Sequence, residues 1–221
     1  SLYDMNGAFY PHVLYAYEPT DPAQVKSPVG RQYIHHGWGF TLGVSAFTVQ
    51  PLWWHYKYPP ETQFLEQTAY PAVRDVATFY ADFIDQCERQ NGHVVLAPSV
   101  SPEHWGWTKN FERNRNCTFD ISMAQYILQA AIEGATTLQR DAQSVTRWQQ
   151  ALALLPDYPT TRTQEPVVVD VEDAPPTNYN ITVPATPVFP GDVVTWQSSA
   201  AQRALFKRTI ESIQWNGNNS M

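Results

Sequence analysis

The amino-acid sequence predicts a mainly α fold, a helical solenoid or toroid with long loops and a few short β-strands. Three observations predict it. Five longer segments repeat apolar residues at near-helical spacing. Loops rich in Trp, Tyr, Pro and Asn separate them, the kind of loop that builds a site at one end of a helical frame. The chain has 221 residues, 43% hydrophobic, 14% aromatic and only 16% charged, enough apolar surface to offset the entropy of ordering the backbone, which excludes disorder.

The elements follow in order. Ser1 to Gly39 has no sustained period and reads as irregular chain. From Phe40 the residues Phe40, Val44, Phe47, Leu52 and Tyr56 mark a helix that ends at Tyr58-Pro59-Pro60. The run PPETQFLEQ begins a short helix. Pro71 to Cys87 then places Val73, Val76, Ala77, Tyr80, Phe83 and Ile84 on one face, with a stop expected near Asn91-Gly92. HVVLAPS reads as β-like. Thr118 is the expected N-cap of a helix from Phe119 to Leu138, buried along Ile121, Ala124, Ile127, Leu128, Ala131, Ala135 and Leu138. A helix from Asp141 to Leu154 buries Val145, Trp148 and Leu152. In Glu165 to Trp196, the runs PVVVDV, NITVP and DVVTW suggest short strands or extended chain. Ala200 to Ile213 is the last helix, carrying Leu205, Phe206 and Ile210.

Charge and motif content remove several function classes. A net charge of −7 with no Lys or Arg run gives no footprint for a nucleic-acid backbone, so no nucleic acid is expected as a partner. No apolar run is long enough to span a membrane. Cys87 and Cys117 could form one disulfide or remain thiols. Glycosylation-type triplets at Asn116, Asn180 and Asn218 point towards an extracytoplasmic or secreted protein. A Ser-nucleophile elbow, a phosphate-cradling Gly-rich loop and metal-ligand spacing are all missing from the sequence, and no metal or organic cofactor is expected.

The stretch LAPSVSPEHWGW carries the best candidate chemistry. Glu103 lies between Pro102 and His104 and is followed by Trp105 and Trp107. Apolar walls raise a carboxyl pKa, as an acid that protonates a glycosidic oxygen requires, and indole rings match the apolar faces of sugars. The same residues also describe a turn whose aromatics are packing material. Hydrolysis with inversion needs a second carboxylate or equivalent to activate water, and Asp120, Asp170, Asp173 and Asp192 are available. Asp192 sits in VFPGDVV, where Pro and Gly form a turn that could aim it. His35, His36 and Trp38, beside flexible glycines, are further candidates for binding hydroxyls and sugar faces. Within the Trp53-Trp54 pair, at least one indole is expected in the core, and the other could reach a cleft.

GWGFTLGVSAFTVQPLWWHYKYPPETQFLEQTAYPAVRDVATFYADFI, followed by VLAPSVSPEHWG and CTFDISMAQYILQAA, resembles in its order of segments the catalytic domain of glycoside hydrolase family ninety-five and related enzymes. The resemblance implies an (α/α)6 toroid and an inverting exo-glycosidase acting on α-L-fucosides or related α-glycosides. Its acid glutamate carries over to Glu103, and its later Pro-Gly-Asp turn to Asp192. The substrate-binding residues are then expected to be His35, His36, Trp38, His104, Trp105, Trp107 and Asp120. A family segment whose asparagines position the attacking water has no match here. Twelve helices plus loops need more chain than these residues supply, so residues 1–221 are expected to form a single domain that is an incomplete part of the toroid. Its partners would be an oligosaccharide or glycoside and another chain that completes the ring. The competing expectations are a non-catalytic carbohydrate-binding helical protein and a structural segment completed by another chain.

Overall fold

The structure, a computed structural model, describes residues 4–10, 40–102, 104–106, 108–176 and 182–213. It is mainly helical with one small antiparallel sheet, an arrangement consistent with part of an α-solenoid or toroid. The helices are α1 (Gly43–Lys57), α2 (Thr62–Phe64), α3 (Tyr70–Gln86), α4 (Thr118–Thr137), α5 (Ala142–Leu154) and α6 (Ala200–Ser212). The strands are β1 (Arg89–Gln90) and β2 (His93–Val94).

Helix α4 is the hub, packed against α1, α3 and α5. Its sequence allows this because Ile121, Ala124, Ile127, Leu128, Ala131 and Ala135 are all fully buried, and the alanines let neighbouring helices approach closely. Helix α3 buries Val73, Val76, Ala77, Tyr80, Phe83 and Ile84, the face its periodicity predicts. Trp148 fixes α5 on the core at 1% exposure. Arg147 ties α5 to α3 through ion pairs to Asp82 and Asp85 at 2.6 and 2.5 Å.

Four expectations need correction, and a fifth is narrowed. The buried face of α1 is Leu42, Ala46, Val49, Trp53 and Tyr56, while Phe47 is 47% exposed. Apolar residues occur on both sides of this helix, so periodicity marks a helix but leaves its inner face open. Asn91-Gly92 does not stop α3, which ends at Gln86; the pair forms the two-residue turn of the β1–β2 hairpin. Both turn residues have positive φ, 54° and 87°, as a primed hairpin turn demands. Helix α2 does not stand alone, because a π turn at Leu65–Ala69 carries the helical chain on into α3.

Thr118 is the first residue of α4, not its cap, and its hydroxyl donates to Val169 O at 2.6 Å. Lastly, of the two forms expected for the Val-rich segment, short strands or extended chain, the described residues show no strand. It contributes one bridge, Thr160 to Val168, and then runs as buried extended chain across the start of α4. Its Val residues satisfy burial, while its backbone groups are bonded to loops instead of a ladder: Thr118 N donates to Asp170 O at 2.9 Å and Glu172 N to Arg115 O at 3.2 Å.

Cys87 and Cys117 are free thiols, each pushed above its ordinary pKa by burial, Cys87 to about 11. Such thiols are poor nucleophiles. Among the described residues no helix is long and apolar enough to cross a membrane.

Candidate active site

Two loops and one helix start hold the segment around Ser99 to Gly106. The chain after β2 runs antiparallel to residues 114–116, with Asn116 N donating to Leu96 O at 3.0 Å and Ser99 N to Asn114 O at 2.9 Å. The loop that follows is held from below by two buried carboxylates. Ser99 Oγ donates to Asp120 Oδ2 at 2.7 Å and accepts from Cys117 N at 2.9 Å. Ser101 Oγ donates to Asp170 Oδ1 at 2.7 Å, and His104 Nδ1 is bonded to Asp170 Oδ2.

Asn114, fully buried, organises the far end of the loop. Its amide nitrogen donates to Trp105 O and Gly106 O, and its amide oxygen accepts from Thr108 N and Thr108 Oγ1. The Trp105 ring lies against the His104 ring at 4.8 Å and under the Arg113 guanidinium at 5.4 Å. Trp105 has positive φ, 48°, the backbone feature that turns the chain there. Glu103 and Trp107 lie outside the described residues, as do His35, His36 and Trp38.

Asp120 is fully buried, so its part in this structure is to join three segments. Its Oδ1 accepts from Gly43 N at 2.7 Å, which links α1, the loop at Ser99 and the first turn of α4. Burial pushes its pKa up to about 7, against the opposing pull of the hydrogen bonds from Ser99 and the α1 start, and the nearby Asp170 pushes the same way as burial.

Asp192 lies on a separate turn, and among the described residues none of 99–106 lines its cleft. Gln50, fully buried on α1, donates from Nε2 to Pro190 O at 2.6 Å. Gly191 N donates to Thr186 O at 2.8 Å. A Cβ at Gly191 would come within 2.2 Å of Ser122 Oγ, so only glycine lets this turn lie against α4. Asp192 has φ 49°, a left-handed backbone that Asp tolerates better than most residues.

Asp192 lines a cleft of about 630 Å³ with Trp54, Tyr58, Tyr126, Glu133 and Phe189. Tyr58 and Phe189 are 82% and 71% exposed, while the core residue Trp53 and the half-buried Trp54 both border the cleft. Lys57 and Glu133 form a rim ion pair at 2.6 Å. Among the described residues no group of His, Cys, Asp and Glu side chains is arranged to hold a metal ion.

Sequence reasoning missed Ser99, Ser101, Asn114 and Gln50 as the supports of these loops. Short polar residues in polar stretches carry no periodic signal, and only their burial reveals them.

A search of the curated proteins finds no match. Comparison with known families matches residues 1–220 to the catalytic domain of glycosyl hydrolase family 95. A match over nearly the whole chain, on a mainly helical frame, decides the class: the chain belongs to the glycosyl hydrolase family 95 catalytic domain, an enzyme class that hydrolyses glycosidic bonds.

Proposed function

We propose that this chain carries part of an inverting, exo-acting site for an α-L-fucoside or a related α-glycoside, in a single domain that forms part of an (α/α)6 toroid. Glu103 gives its proton to the glycosidic oxygen as the bond to the anomeric carbon breaks. Asp192 takes a proton from a water that attacks that carbon from the opposite face. His35, His36, Trp38, His104, Trp105 and Trp107 serve the sugar, and Asp120 supports the loop from beneath. The supporting observation is the place of Asp192. Its left-handed turn is wedged between α1 and α4 and opens on a cleft walled by aromatics, which suits a carboxylate held for a reaction.

The test is proton NMR of the first-formed anomer from an α-L-fucoside, with Glu103→Gln and Asp192→Asn beside the wild type. Inversion is expected, with kcat falling roughly 10²- to 10⁴-fold in each variant. Retention of configuration, or wild-type kcat in Glu103→Gln, defeats the reading.

We also propose that another chain completes the toroid over the groove between the Asp192 turn and α6. That groove, about 770 Å³, exposes Trp196 and Ile210 beside Val188 and Val194. Sedimentation of the chain with and without Trp196→Asp tests this, and a monomer in both cases rules it out.

A further inference from the structure

Asp170 sits where a carboxylate is costly to bury. It is 1% exposed, and such a group is tolerated only when paired. Both of its oxygens are engaged by one short stretch of chain, Oδ1 by Ser101 Oγ at 2.7 Å and Oδ2 by His104 Nδ1. These partners stand on either side of position 103. Ser101 O also accepts from His104 N at 3.4 Å. Three peptide links join the two residues, and Pro102 fixes one φ between them.

The anchor is itself fixed. Asp170 O accepts from Thr118 N, the first residue of α4, at 2.9 Å, and Val169 O accepts from Thr118 Oγ1 at 2.6 Å. The flanking Val169 and Val171 are fully buried. The clamp therefore ties the loop directly to the most buried helix of the molecule. Like Asp120, Asp170 has both oxygens engaged and is buried away from any cleft water.

We propose that Asp170 is the positioning residue of the acid loop, holding Ser101 and His104 so that Glu103 meets the glycosidic oxygen. The proposal rests on the reading of Glu103 as the acid. A misplaced acid harms only substrates whose leaving group needs a proton, whereas general loss of structure harms every substrate.

The experiment compares an α-L-fucosyl disaccharide, whose sugar alkoxide must be protonated to leave, with α-L-fucosyl fluoride, whose fluoride leaves without a proton. Asp170→Asn is expected to lower kcat on the disaccharide roughly 100-fold, the cost of a catalytic group displaced by about 1 Å, and to leave the fluoride nearly unchanged. Ser101→Ala releases the same loop from the other side and should show the same selectivity, which keeps the test open if Asp170→Asn does not fold.

Equal losses on both substrates, or no loss on either, overturn the proposal. Glu103→Gln run in parallel separates the two readings. If Glu103→Gln is selective and Asp170→Asn is not, the clamp fails and the acid stands; if Glu103→Gln is not selective, both fall. Amide hydrogen exchange supplies a readout independent of turnover. Residues 99–106 should lose protection in Asp170→Asn while α4 keeps its own, and unchanged protection in the loop overturns the proposal.

Discussion

Asp120 keeps its proton to about pH 7 because no water reaches it, although every hydrogen bond it receives favours the charged form. Its ordinary pKa is 3.8. Below that value the group is neutral in both the folded and unfolded chain. Above it the unfolded chain releases the proton and the folded chain does not, so this group's stability contribution is lost as pH rises from 3.8 to about 7. The loss amounts to ~4 kcal/mol. Asp120→Asn should flatten that part of the stability profile in urea titrations at several pH values, since the amide can accept from Gly43 N and donate to Ser99 Oγ. A wild-type slope in the variant would mean another group titrates. Asp82 acts in the opposite sense. Burial alone would raise it, but hydrogen bonds from Asn6 and the Arg147 guanidinium hold it below the usual carboxylate range, and its contribution is lost as pH falls through its folded pKa. Gly191 offers a steric test at the same scale. An added Cβ would lie 2.2 Å from Ser122 Oγ and 2.6 Å from Thr186 O, so Gly191→Ala should cost about 1–3 kcal/mol in chemical denaturation.

Among the elements, α4 and α5 show what packing adds to propensity. Helix α5 is mostly solvent-facing and joins the core through Trp148 and Ala151, at 1% and 2% exposure. Trp148→Ala should therefore cost about 3–5 kcal/mol and release α5 before the rest. A lower thermal midpoint together with faster exchange at residues 142–154 would show it; a change spread evenly over α3 and α4 would contradict it. Helices α3 and α4 were legible in the sequence because each buries one strong stripe. Helix α1 was legible as a helix but not in its orientation, since Phe47 and Trp53 are both large and apolar and only contact with α4 selects Trp53 for the core. The Asn91-Gly92 pair suits either a helix stop or a hairpin turn, and Val94 buried at 1% beside a paired Arg89 decides for the hairpin.

Across the molecule, the cleft is assembled from α1, α4 and the turn before α6, segments up to 140 residues apart in Gln50 and Pro190. Tyr58 and Phe189 face solvent there and support no core. Replacing either by Ala should leave the thermal midpoint unchanged and raise KM for a glycoside about tenfold, the ~1.4 kcal/mol expected of an aromatic ring face. A raised KM with a lowered thermal midpoint would instead assign these rings to structure.

The sequence alone determined the helical class, the inner faces of α3 and α4 and the likeness to a glycosidase family, and it put Glu103 and Asp192 forward as candidates. All of these rest on local order: apolar period, turn chemistry and short motifs. Only the tertiary structure decided that Asp120 and Asp170 are buried supports, that Asn114 and Gln50 hold the loops, and that Trp53 packs in the core while still bordering the cleft. A polar side chain's role depends on whether water can reach it, and that is set by distant segments closing over it.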